Sequence, residues 1–109
     1  MNEYLAATAA SVRFDTERAT KADLFRGDRL FAGLNCFEPG QRQSVHTHAG
    51  AEKFYFLVSG KARLAVGACE VDAVAGDIVW APAGVPHGVV TAYERTVMLV
   101  AMAPPPGSG

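Results

Sequence analysis

The chain has 109 residues, half of them apolar and 19% charged, with a formal net charge of −1. That is the size of one domain, long enough to bury roughly 60–70% of its unfolded surface and so to need no disulfide or metal merely to fold. The near-neutral charge without a basic cluster excludes the footprint of a nucleic-acid binder, and no apolar run approaches the ~20 residues that span a bilayer.

Taken in chain order, "MNEYLAATAASVRFD" lacks the charged start and apolar core of a secretory leader. Cys36 and Cys69 fit no CxxC spacing, so the expectation is a cytoplasmic chain with two buried free thiols rather than a disulfide. "EYLAATAA" is a candidate short helix and "TERATKADLF" (16–25) reads as extended chain, which makes residues 1–27 an N-terminal extension with short strand character. From Asp28 the pattern is short strands with turn punctuation. "RLFAGLNCF" (29–37) runs into the turn Pro39-Gly40, "KFYFLVSG" (53–60) ends at a glycine, and "KARLAVG" (61–67) and "CEVDAV" (69–74) alternate in polarity. "IVWAPAG" (78–84), "HGVVTAY" (87–93) and "RTVMLVAM" (95–102) complete the set. Residues 103–109 are expected to be a disordered tail, because Pro104, Pro105 and Pro106 have no backbone N–H to give a ladder. About eight strands at 8–12-residue spacing with no long helix between them describe an all-β sandwich or barrel over residues 28–102.

Phe54 to Val58 is apolar at every position. A strand with one face in water alternates, so an unbroken run predicts cover on both faces. One face fills the barrel; the other is expected to meet an N-terminal strand or a second subunit, which predicts a homodimer.

The chain has three histidines. His46 and His48 stand at i and i+2, a spacing that turns both to the same face of a strand, where neutral imidazoles converge on one metal ion. His87 follows the rigid stretch Pro82, Gly84, Pro86 and opens a strand, so all three lie at strand edges beside Gly/Pro turns.

Residues 40–60, "GQRQSVHTHAGAEKFYFLVSG", resemble the first motif of the cupins: Gly, five residues, HxH, three or four residues, Glu, six residues, Gly. Residues 76–91, "GDIVWAPAGVPHGVVT", resemble the second, with Thr91 in place of its closing Asn. The resemblance covers roughly residues 28–102 and implies a small single-domain jelly-roll β-barrel, often dimeric, with one divalent metal inside. By position it assigns His46, His48 and His87 as ligands. The fourth ligand is where this chain departs: counting from His48 the slot is Glu52, while counting back from Gly60 it is Lys53. One residue of shift reverses the face, and only a bulge before the strand would let Glu52 reach the metal. Gln43, Tyr55 and Trp80 are candidates for the cavity wall, and Phe37 and Met98 for the core.

Three readings of function follow. In the first, Fe, Mn, Ni, Cu or Zn on three histidines, with Glu52 as a further candidate, serves a dioxygenase (an oxidoreductase) or an isomerase acting on a small, partly apolar molecule. In the second, the barrel binds a small ligand without turning it over. In the third it has no site. Fold alone does not choose among them.

Overall fold

The computed structural model describes residues 3–107. Its elements are a single-turn helix, α1 (Thr8–Ser11), and the strands β1 (Thr20–Arg26), β2 (Phe31–Phe37), β3 (Gln43–His46), β4 (Glu52–Ser59), β5 (Lys61–Val66), β6 (Cys69–Val74), β7 (Ile78–Ala81), β8 (His87–Ala92) and β9 (Thr96–Ala103). They form two sheets, ordered β1-β2-β9-β4-β7 and β3-β8-β5-β6, whose strand pairs are antiparallel. The sheets face each other as a jelly-roll barrel. Both contribute to one core: Phe37, Tyr55, Leu57, Val79, Met98 and Val100 from the first, Ala62, Leu64, Ala73, Val89 and Ala92 from the second. Alternation is the reason. In β4 and β5 every second side chain is buried, as a strand with one face in a core requires.

The chain changes sheet between β4 and β5 at Gly60, whose φ is 92°. A Cβ there would collide with the Arg95 carbonyl and the Thr96 hydroxyl. Thr96 closes the corner by accepting from the Lys61 amide at 3.2 Å and donating to the Glu94 carbonyl at 2.8 Å.

The stretch expected to be extended, 16–25, overlaps all but the last residue of β1, an edge strand paired with β2 with one irregularity between Asp23 and Phe25. Before it, Val12 and Phe14 lie over Leu34, Cys36 and Val97 on the outer face of the five-stranded sheet. Two expectations are corrected. Cys69 is exposed, because it starts β6, an edge strand with a single buried position; only Cys36 is buried, and both thiols are free. The tail is placed as far as Gly107: β9 runs through Ala103, Pro105 is buried and Pro106 lines the barrel cavity. Proline cannot join a ladder, yet its ring is still apolar surface that gains by burial. Residues 108–109 lie outside the described part. Among the described residues no helix is long and apolar enough to cross a membrane.

Candidate metal centre

β3 and β8 are neighbours, and His46 pairs directly with His87 across them. Their approach depends on Gly88. A Cβ at that position would lie 2.7 Å from the Gln43 carbonyl oxygen and 3.0 Å from that of Ser44. Only glycine lets the two backbones come this close. His48 lies just past the end of β3, and its carbonyl accepts the Gly84 amide at 3.0 Å, tying the HxH segment to the turn that carries His87. The ring centroids are 4.8 Å apart for His46 and His48, 4.5 Å for His46 and His87, and 5.4 Å for His48 and His87. One nitrogen from each ring can be chosen so that all lie within 4.8 Å of one another.

The proton positions follow from the backbone. His46 Nδ1 is 2.9 Å from the Ser44 carbonyl and His87 Nδ1 is 2.9 Å from the Val85 carbonyl. A carbonyl can only accept, so each Nδ1 carries the hydrogen and each Nε2 keeps its lone pair. The Nε2 of His87 is buried without any hydrogen-bond partner, the one such side-chain atom among the described residues. Leaving a buried acceptor unmet costs about 1–3 kcal/mol. Burial also holds the His87 imidazole below its ordinary pKa, against the opposing effect of the Val85 hydrogen bond, and burial lowers that of His48, helped by the charges of His46, Lys53 and Lys21. Two of the three rings are thus biased towards the neutral form that donates to a metal. Backbone carbonyls orienting ligand imidazoles are the usual support of such a site, and the donor set fits a divalent transition metal.

The disputed corner is resolved by register. β4 pairs with β9 without interruption from Glu52 to Leu57, and its irregularity falls later, between Leu57 and Ser59. With Tyr55 and Leu57 inside, Lys53 is inside and Glu52 outside. Lys53 is 6% exposed and stands with Val100 and Met102 on the cavity wall. Glu52 faces outward and accepts a hydrogen bond from Trp80 Nε1 at 3.0 Å. The bulge that would have brought Glu52 to the histidines is at the wrong end of the strand. Trp80 is likewise corrected: at 61% exposure it lies on the outer face, opposite Phe54.

Gln43 lines the cavity, while Tyr55 is not on its lining but fully buried in the core. The Tyr55 hydroxyl donates to Gln43 Oε1 at 2.8 Å, linking the two sheets beside the histidines. Burial raises the Tyr55 pKa well above the ordinary phenol value, so it stays protonated. The cavity measures about 420 Å³; besides His46, His48, Gln43 and Lys53 it takes in Asn35 and Lys21. His87 completes the cluster from the buried side. Asn35, 5% exposed, and Lys21 carried no motif in the sequence. They belong to the cavity because β1 pairs them directly.

Residues 33–102 match the family described as Cupin domain. An uncharacterized protein of Streptomyces coelicolor is 34% identical over 80 residues, 73% of this chain and 75% of its own. A crystal structure from Thermus thermophilus superposes with a TM-score of 0.88 at 33% identity, covering 94% of this chain and 98% of the other. An RmlC-like cupin protein from Desulfovibrio desulfuricans gives a TM-score of 0.79 at 29% identity, with 86% and 90% covered.

Proposed function

The chain belongs to the cupin family, and from that premise we propose that His46, His48 and His87 hold one divalent metal ion and that the protein acts through it on a small, partly apolar molecule. The observation that carries this reading is the orphaned Nε2 of His87, a buried lone pair with no protein group to satisfy it. When bound, such an ion supplies Lewis acidity or, if it is Fe, Mn, Ni or Cu, redox capacity. The chain's own residues do the rest. Ser44 and Val85 fix the imidazoles through their carbonyls. Phe31, Val100 and Met102 give the cavity an apolar wall that excludes water from the body of the ligand. The Tyr55–Gln43 pair holds the wall near the histidines in one arrangement.

A dioxygenase or an isomerase is the class we infer. A second reading, a barrel that binds its ligand without converting it, draws support from one feature. Among the described residues the only carboxylate on the cavity lining is Asp23, carried on the exposed edge strand β1, so none of them offers a buried carboxylate there as a base. Metal analysis of protein purified without a tag, followed by oxygen-uptake and product assays against catechols, flavonols and diketones, separates the two. One bound ion with turnover supports the enzyme; one bound ion with saturable binding and no product supports the binding barrel. Absence of any bound transition metal overturns both forms of the metal reading.

We further propose a homodimer, supported by the outer face of β4 and β7. Phe54 and Phe56 are only half-buried there, and Ile78 and Trp80 are 62% and 61% exposed.

A further inference from the structure

Lys53 is an expensive residue in its position. The residue is 94% buried, yet among the described residues it meets no carboxylate; the ring of Tyr55 lies below it, 4.5 Å from the ammonium nitrogen to the centroid. A ring face offsets part of the lost hydration of a cation, but a buried ammonium without a counter-charge is otherwise strongly disfavoured. Two more polar residues line the same cavity. Asn35 is 95% buried on the same cavity, and Lys21, exposed and paired with it across β1 and β2, adds a second positive charge at the rim. Against these stands one acid, Asp23. Beside Lys53 on the same sheet the wall is apolar: Met102 pairs directly with it, and Val100 and Phe31 continue the surface.

We propose that the ligand of this cavity is a small organic acid, with its carboxylate paired to the Lys53 ammonium and its apolar body against Phe31, Val100 and Met102. Asn35 is placed to serve a further oxygen of the same molecule, and Lys21 draws the anion to the mouth. The inference rests on the reading of the barrel as a ligand site and names the class of ligand. It also accounts for a lysine beside three histidines meant for a cation: the bound acid supplies the negative charge that no side chain provides there. Ligand and metal then favour each other's binding, and the coupling is reciprocal.

The test uses butyrate, with butyramide as its neutral counterpart, titrated into the full chain and followed by two-dimensional NMR of the backbone amides of residues 33–35, 53 and 102. Metal-free protein is measured first and zinc-loaded protein second. Wild type is expected to bind butyrate saturably and butyramide at least tenfold more weakly. Lys53→Met and Lys53→Gln, two ways of removing the charge, should each weaken butyrate at least tenfold and leave butyramide unchanged, with zinc affinity retained or raised. Asn35→Ala gives an independent arm, expected to weaken butyrate severalfold. Butyramide binding as well as butyrate, or butyrate binding indifferent to Lys53, overturns the proposal. The two readings fail separately. Zinc binding with Lys53-independent butyrate leaves the metal site and removes the acid; Lys53-dependent butyrate on a protein that takes up no zinc leaves the acid and removes the metal.

Discussion

A single side chain, Lys53, sets the character of the site. Burial, with a smaller contribution from the charge of Lys21, pushes its amine down from the ordinary lysine value of 10.5 to about 8. The folded protein therefore bears a penalty that is full below pH 8 and vanishes as pH approaches 10.5, because above that value the unfolded chain is neutral too. Lys53→Met should accordingly be more stable than wild type at pH 7, by about 1–3 kcal/mol, with the gain fading between pH 8 and 10.5. Urea unfolding at pH 7 and pH 10 checks this; an equal difference at both would refute it. Glu52 is the contrasting residue. Its exposed hydrogen bond to Trp80 is worth about 0–1 kcal/mol, so Glu52→Gln should leave metal affinity within a factor of about 2, whereas His87→Ala should abolish tight binding. Because burial lowers the pKa of His48 and His87, release of the ion on acidification should set in below the ordinary imidazole value of 6.5, as read by a metal-indicator titration. The histidines were legible in the sequence because an i, i+2 pair shares a face wherever its strand lies. The choice between Glu52 and Lys53 was not, because it depends on which end of β4 carries the irregularity, a property of its pairing with β9.

Among elements, the pair β3 and β8 builds the centre, and two glycines govern it in different ways. Gly88 permits close passage, and Gly60 turns the chain from one sheet to the other at a positive φ. Gly88→Ala should push β3 away from β8, lowering zinc affinity by at least tenfold while the barrel still folds. Gly60→Ala combines a left-handed backbone with a collision, and should cost about 2–4 kcal/mol of stability with less effect on zinc affinity in whatever folded protein remains. Thermal unfolding and zinc titration of both variants check the split; the reverse pattern would show that the corner, not the crossing, positions the histidines. Gly60 was visible as a strand terminator. The role of Gly88 was hidden, because only the pairing of two segments more than forty residues apart in sequence brings the Gln43 carbonyl against it. Seven of the nine strands, β2 and β4 to β9, were legible from alternation and turn residues; the four-residue β3 and the order of strands within each sheet were not. Trp80 was misplaced because β4 and β7 are apolar on both faces, which erases the parity signal that separates inside from outside.

For the whole molecule, the N-terminal segment covers only part of the outer sheet, over Leu34, Cys36 and Val97. The part formed by β4 and β7 is left with Phe54, Phe56, Ile78 and Trp80 in a contiguous apolar face. A second copy placed there would give this face the cover that the unbroken apolar run of residues 54–58 predicts. Sedimentation at micromolar concentration should therefore give a dimer, and Trp80→Glu a monomer with an unchanged metal site; wild type sedimenting as a monomer would remove the dimer from consideration. The position of Trp80 has an optical consequence as well. It is the sole indole in the chain and it stands on the outside of the barrel, so the protein's intrinsic emission is a gauge of assembly and not of cavity occupancy. On dilution the band should move towards the red as the ring meets water, while filling the barrel with zinc or with an acid should leave its wavelength where it was.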